Sequence, residues 1–212
     1  MSFQLIDYDN WKRKSHFEGI SQKEPSLINM TVSINITSLK KYLTNHSMRL
    51  YPILIACISM VINRFDEFKM ALDENSNLGV YDTIHPSYTI FHKDDCTFSC
   101  IYTVSQNDVH SFYDAIIQDM EVFGSLKGFE TRVAPQNSFP ISCIPWVTYT
   151  GYSIIELKEK MSVAPYVIIG RYNCQNSEIH LPITIQVSHS VADGYHVSMF
   201  FQELQQLLNS LT

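Results

Sequence analysis

The stretch Leu181–Val197, LPITIQVSHSVADGYHV, constrains the fold more than any other, because its hydrophobic period changes partway along. Leu181, Ile183, Ile185 and Val187 alternate with smaller or polar residues, which predicts a strand with one buried face ending at Ser188-His189. Beyond Asp193-Gly194 the steps become three and four. Val197, Phe200, Phe201, Leu204, Leu207 and Leu208 then describe an amphipathic helix running toward Thr212. His189 is thus held at the end of a buried strand, where a side chain that titrates near neutrality can take a proton from a hydroxyl or thiol. Glycine allows a tight turn, and an aspartate beside it can fix the loop through hydrogen bonds or an ion pair. The residues alone leave a second reading open, in which His189 is satisfied by a backbone carbonyl and Asp193-Gly194 is an ordinary turn.

The rest of the chain supplies strands and helices in an order that fits α+β. Met30, Val32, Ile34 and Ile36 alternate as a strand, and Thr37 can cap a short helix through Leu43. Tyr51 to Phe65 is apolar on nearly all sides and predicts a buried helix, with Pro52 tolerated in its first turn. After a polar turn at Asp73 to Asn77, strands are expected at Leu78 to Tyr81, Ser87 to His92 and Thr97 to Val104, with Lys93-Asp94-Asp95 as the hairpin turn. Asn107-Asp108 caps an amphipathic helix over Val109 to Phe123, and Gly124 to Pro140 reads as a surface loop. Ile141 to Ile154 is strand-like but interrupted by Pro145 and Gly151. Lys158-Glu159-Lys160 is a solvated charge cluster. Ala164 to Tyr172 and His180 to Ser188 form a further strand pair joined by a turn at Asn173 to Glu178. The expectation is one domain over residues 1–212: a two-layer sandwich of a mixed, mainly antiparallel sheet with helices packed on one side. The opening segment to Glu24 carries no clear period.

Composition excludes several function classes. A net charge of -6 with no Lys/Arg stripe argues against nucleic acid, and no apolar run is long enough to span a membrane. The N-terminus has no apolar core of a secretory signal. Five cysteines, Cys57, Cys96, Cys100, Cys143 and Cys174, lack the paired spacing of a zinc site and read as the reduced thiols of a cytoplasmic protein; no metal is expected. A hydrophobic content of 45% with 17% charged residues fits a chain that also buries surface in an oligomer.

His189-Ser190-Val191-Ala192-Asp193-Gly194-Tyr195-His196-Val197, preceded by Pro182 and Gln186-Val187, resembles the signature of the classical, type A chloramphenicol acetyltransferases. The same His-x3-Asp-Gly occurs in the catalytic core of dihydrolipoamide acyltransferases. Further stretches are similar to the first family alone and follow its order: Asn10-Trp11 with Arg13 and His16-Phe17, Arg49 to Pro52, Pro86 to His92, Thr97-Phe98-Ser99, Ile141-Ser142 with Pro145-Trp146-Val147, and Ala164-Pro165 to Tyr172.

The resemblance implies a homotrimer that moves an acetyl group from acetyl-CoA to the hydroxyl of a small acceptor in a ternary complex, with the site shared between subunits. His189 then matches the general base, and Ser142 the donor to the oxyanion. Asp193 matches a structural aspartate paired with Arg13. Arg49, Tyr51, Arg171 and Tyr172 match the coenzyme A channel. Phe98, Cys100, Phe129, Tyr152, Ile154 and Tyr166 match the acceptor pocket. Without the resemblance, Ser142 is an ordinary strand serine and each of the others a surface charge or core aromatic. Three departures stand out: Ser188 replaces a second histidine, Gly19-Ile20 replaces two adjacent aromatics, and Ile168 replaces a threonine that holds a water near the reacting centre. These affect acceptor choice more than acyl chemistry. The rival readings are an acyltransferase of this fold with another small alcohol or thiol as acceptor, and a catalytically silent trimer that only binds apolar ligands.

Overall fold

The computed structural model describes residues 2–155 and 163–211, so the Lys158-Glu159-Lys160 cluster lies outside the described residues. The elements run β1 (Phe3–Leu5), α1 (Lys14–Gln22), β2 (Leu27–Asn35), α2 (Thr37–Asn45), α3 (Leu50–Ile62), a single 3-10 turn (Asp66–Phe68), β3 (Met70–Leu72), β4 (Leu78–Tyr81), β5 (His85–His92), β6 (Thr97–Tyr102), α4 (Val109–Phe123), β7 (Ser138–Cys143), β8 (Tyr166–Ile169), β9 (Asn173–Gln175), β10 (Glu178–Ser188) and α5 (Gly194–Ser210). The fold is α+β, with mixed sheets. A small sheet has the order β1-β4-β3. The large one has the order β2-β10-β8-β7-β5-β6, with β9 pairing the start of β10. Among the strand pairs of the described residues, β5–β7 and β7–β8 are the parallel ones.

β10 forms the spine of the large sheet, flanked by β2 over nine residue pairs from His180 to Ser188. Its odd-numbered side chains, Leu181 to Val187, face a core that includes Ile53 and Ile58 of α3, Phe112 of α4, and Phe200 and Leu204 of α5. Helices α2 to α5 therefore cover one face of the sheet. Every residue of α3 from Pro52 to Ser59 is buried, and its polar exception, Ser59, donates to the Ile55 carbonyl at 2.6 Å. The even-numbered residues Thr184, Gln186 and Ser188 are buried as well, so the strand is covered on both faces and not on one.

Several boundaries differ from the sequence reading, each for a physical reason. β2 begins at Leu27, because its pairing with β10 continues past the alternating run. Thr37 does not cap α2; its hydroxyl accepts from the Ile179 N–H at 2.8 Å, and Asn35 Oδ1 accepts from the Thr37 N–H at 2.9 Å. The supposed loop ends early, since β7 already starts at Ser138. Pro140 is tolerated there because β8 pairs with β7 only from Ile141 onward, leaving that side of Pro140 without a ladder partner. After Cys143 the chain leaves the sheet at Pro145, and residues 144–155 cross the face opposite the helices without regular structure. Residues 173–178 form a short hairpin, with Asn176 and Ser177 both left-handed at φ 49° and 69°. β1, α1 and β3 were not legible.

The turn before α5 is held from three sides. Asp193 is the N-cap, and its Oδ1 accepts from the Tyr195 N–H at 3.0 Å, while Arg13 Nη1, 180 positions away in sequence, donates to Oδ2 at 2.8 Å. His196 Nδ1 lies 2.9 Å from Asp193 Oδ1, and its Nε2 lies 3.4 Å from Glu67 Oε1. Partial burial by itself would raise the Asp193 carboxyl, but the Arg13 hydrogen bond, the nearby His196 and the Tyr195 N–H outweigh it and bring it down to about 2. The folded value lies below the 3.8 of a free aspartate, so this contribution to stability is complete above pH 3.8 and is lost as the pH falls toward about 2.

Replacing Asp193 with Asn keeps a competent cap and removes the charge, whereas Asp193→Ala removes both and should cost about 1 kcal/mol more. Asp193→Asn combined with Arg13→Ala should destabilise less than the sum of the singles, by about 0.5 to 1 kcal/mol given the partial exposure of the pair. Urea melts of the four proteins measure this, and strictly additive losses would refute the pairing. The acid limb of the wild-type stability curve between pH 3.8 and about 2 should be shallower in Asp193→Asn.

Candidate active site

His189 follows the last residue of β10, and its own N–H donates to the Ser26 carbonyl at 3.0 Å, extending the pairing by one rung. The imidazole is partly buried, with Nδ1 3.2 Å from the Ala192 carbonyl oxygen. A carbonyl can only accept, so Nδ1 carries the proton and Nε2 is left with a lone pair. That tautomer suits a base. Behind it, the buried hydroxyls of Ser188 and Ser190 pair at 2.8 Å.

Ser142 stands on β7, on the face of the sheet turned away from the helices, since its neighbours Ile141 and Cys143 pack with the core. It lines a cleft of about 470 Å³ with Thr89, Phe98, Cys100, Phe129 and Tyr166. Phe91 and Trp146 close one end, their ring centroids 4.7 Å apart, and Phe98 and Phe129 meet at 5.9 Å. A second cavity of about 540 Å³ shares Ser87, Cys100, Phe129, Pro140 and Tyr166 with the first and runs on to Ile155 and Gln186. Such a concave, aromatic surface with a few polar groups suits a small organic ligand.

The structure brings Ser142, Phe98, Cys100, Phe129 and Tyr166 together, but His189 lines neither cavity. Sheet register gives the separation. Ser142 pairs with Ile168 and Ile168 with Thr184, five positions before His189. Two inter-strand steps and five residues of strand place the two backbone positions roughly 19 Å apart on one chain. Tyr152 and Ile154 also stay off the cleft: Tyr152 packs on Tyr149 at 5.8 Å, and the Ile154 N–H donates to Gln186 Oε1 at 3.3 Å. Ile168 is fully buried, and its carbonyl accepts from the Tyr149 hydroxyl at 2.9 Å.

The four residues matched to coenzyme A fall into two pairs. The Arg49 N–H donates to the Tyr113 hydroxyl at 3.0 Å with the guanidinium exposed, and Tyr51 donates to the carbonyl of Thr89, a cleft residue, at 3.3 Å. Burial pushes the Tyr51 phenol up. Arg171 Nη1 lies 3.5 Å from the carbonyl of Trp146, and Tyr172 stacks under the Lys40 ammonium at 5.0 Å. Among the described residues no hydrogen bond or ring contact joins the two pairs, though each reaches a wall of the cleft.

Sequence reasoning missed Thr89 and Phe91 as cleft residues, Tyr149 over the sheet, and the His196–Glu67 arm. Only His196 carried a signal, its place three residues after an aspartate cap. Cys143 and Cys100 are poor nucleophiles: burial pushes Cys143 up to about 12, and burial and then the Glu130 carboxylate raise Cys100. Among the described residues no three His, Cys, Asp or Glu side chains converge as a metal-binding set.

A sequence model of the family described as chloramphenicol acetyltransferase matches residues 1–205. A chloramphenicol acetyltransferase of Clostridium perfringens is 37% identical over 99% of this chain and 96% of its own length. One of Campylobacter coli is 38% identical over 99% and 100%, and chloramphenicol acetyltransferase 3 of Escherichia coli is 34% identical over 99% of each. Among solved structures, a chloramphenicol acetyltransferase superposes with a TM-score of 0.88 at 18% identity, covering 98% of this chain and all of that one. The dihydrolipoamide acetyltransferase of Azotobacter vinelandii gives 0.66 at 15% identity over 92% and 85%. Those two likenesses are of fold, whereas the match in sequence extends over almost the entire chain. The chain belongs to the chloramphenicol acetyltransferase family.

Proposed function

We propose that the chain is a type A, acetyl-CoA-dependent O-acetyltransferase of the cytoplasm, acting as one domain within a homotrimer on chloramphenicol or a similar small alcohol. The observation that carries the reading is the division of the site. Ser142 and its aromatic cleft lie on one part of the sheet and His189 roughly 19 Å away, too far for both to act on one carbonyl unless a neighbouring copy supplies the second half.

In that arrangement His189 Nε2 takes the acceptor's hydroxyl proton as the oxygen attacks the thioester carbonyl. The Ser142 hydroxyl donates to the oxygen that becomes negative. Collapse of the tetrahedral intermediate re-forms the carbonyl and breaks the C–S bond, and the imidazolium proton goes to the departing thiolate of coenzyme A. Asp193 has no part in the proton's path; it holds the loop. Arg49 and Arg171 would meet the phosphates and Tyr51 and Tyr172 the remainder of acetyl-CoA, cations and rings that fit an anionic nucleotide.

A different acceptor within the same chemistry is favoured by two features. Ile168 offers no hydroxyl, and Gly19 on α1 has open space where a Cβ and ring would stand, with nothing within 4 Å of an added Cβ. Losing an aromatic ring and a polar anchor lowers affinity for chloramphenicol.

His189→Ala should cut turnover by on the order of 100-fold or more in protein that still melts normally, and survival of a tenth of the activity would remove His189 as the base. Co-refolding inactive His189→Ala with inactive Ser142→Ala should restore about a quarter of the sites, because random mixing puts an intact histidine beside an intact serine at that frequency in a closed ring. No recovery, or full activity in a monomer by sedimentation, contradicts a shared site. Gly19→Phe with Ile20→Tyr should lower the Michaelis constant for chloramphenicol about tenfold and leave that for acetyl-CoA nearly unchanged. Release of free thiol from acetyl-CoA with any acceptor separates all of this from a silent binding protein.

A further inference from the structure

Among the described residues, Glu130, in the wall of the second cavity of about 540 Å³, is the one charged side chain that lines either of the two joined cavities; every other lining group is apolar, hydroxyl, thiol or amide. Its surroundings on this side are aromatic and apolar: Phe129 precedes it, and Phe129, Tyr166 and Cys100 face both cavities.

The backbone at Glu130 is held in place, although the residue is exposed and lies on a long connection. Gly128, at φ 129°, turns the chain in a conformation that suits glycine, and Cys100 then forms a bridge to Glu130. The Cys100 N–H donates to the Phe129 carbonyl at 2.7 Å and the Thr131 N–H to the Cys100 carbonyl at 3.3 Å. Both cations nearby in sequence are committed elsewhere. Lys127 pairs with Asp94 and with Asp95, and Arg132 pairs with Asp119 at 2.5 Å while donating to the Tyr102 carbonyl at 2.8 Å. Their pairs anchor the connection at both ends. No cation among the described residues neutralises Glu130, and its charge is felt inside the cleft, where it adds to the burial that raises the Cys100 thiol.

We infer that Glu130 makes this cleft selective for small alcohols that carry an organic cation, a class recognised by a fixed carboxylate set beside aromatic faces. The inference rests on the reading above that the cleft holds the acceptor. Glu130 acts as a specificity determinant: it adds attraction for one kind of acceptor and takes no part in proton transfer.

The test compares 4-(trimethylammoniomethyl)benzyl alcohol with 4-neopentylbenzyl alcohol, which match in shape and differ by one charge, beside chloramphenicol. Thiol release from acetyl-CoA gives the specificity constants, and quenching of Trp146, in the cleft wall, gives binding without turnover. The cation should be preferred. That preference should fall about three- to tenfold in Glu130→Gln, reverse in Glu130→Lys, and weaken at high ionic strength, as expected for a partly exposed ion pair supported by rings. If chloramphenicol is acetylated but the ratio does not move in Glu130→Gln, the inference fails and the transferase reading stands. Cation binding that responds to Glu130→Gln, with no thiol release from any acceptor, upholds the cleft assignment and sinks the transferase reading. Neither selective binding nor turnover overturns both.

Discussion

The contact between Arg13 and Asp193 is the constraint on which the geometry around His189 depends. β10 is fixed by pairing on both sides and α5 by its apolar stripe; of the five residues between them, Val191 and Ala192 are buried in the core, while His189 and Asp193, only partly buried, are placed by hydrogen bonds. Asp193 ends that gap by capping α5 through one oxygen and binding Arg13 through the other. The residue just before it, Ala192, offers the carbonyl that selects the tautomer of His189. A shift of the aspartate would therefore turn the imidazole, and the N-terminal helix, remote in sequence, is part of what aims the ring.

The sheet shows two different characters. Its helix side is a continuous apolar core. Its other side carries a row running Ser142, Ile168, Thr184 and Thr31 across four strands, with Thr31 and Thr184 sharing a 2.7 Å hydrogen bond. Tyr149 reaches into this row from above, donating to the Ile168 carbonyl and standing 3.4 Å from the Thr184 hydroxyl. Gly170 makes the approach possible, since a Cβ there would come within 2.5 Å of the Tyr149 ring. Ile168 and Thr184 in this row are fully buried, whereas the rings of Phe98, Phe129 and Trp146, which line the cleft with Ser142, are exposed.

Legibility in the sequence followed the range of the interactions involved. The bounds of α4 and β4 were readable because a cap and a short alternating run are local signals, and Asp108 does accept from the Ser111 N–H at 2.9 Å. β1 and β3 were not, being three residues each and strands only by virtue of pairing with β4. Pro140 argued against a strand until the register of β8 was known, and Thr37 looked like a cap because its bond to Ile179 joins segments far apart in sequence. For the site, local motif and resemblance pointed to His189, Ser142 and the aromatic cleft. They could not convey that Tyr152 and Ile154 stand off that cleft, nor that Glu130 lines the cavity joined to it, because both depend on the irregular paths of residues 124–137 and 144–155.

Three cysteines, Cys96, Cys100 and Cys143, stand in the wall of the cleft, and on the proposed reading a thiolate there would compete with the acceptor for the acetyl group by simple exchange. For Cys100 and Cys143 burial works against that competition. Burial pushes the Cys143 thiol up to about 12, and the carboxylate of Glu130 adds to the burial that raises Cys100. The low dielectric around Cys100 and Cys143 would thus keep these two thiols as bystanders to a transfer in the cleft.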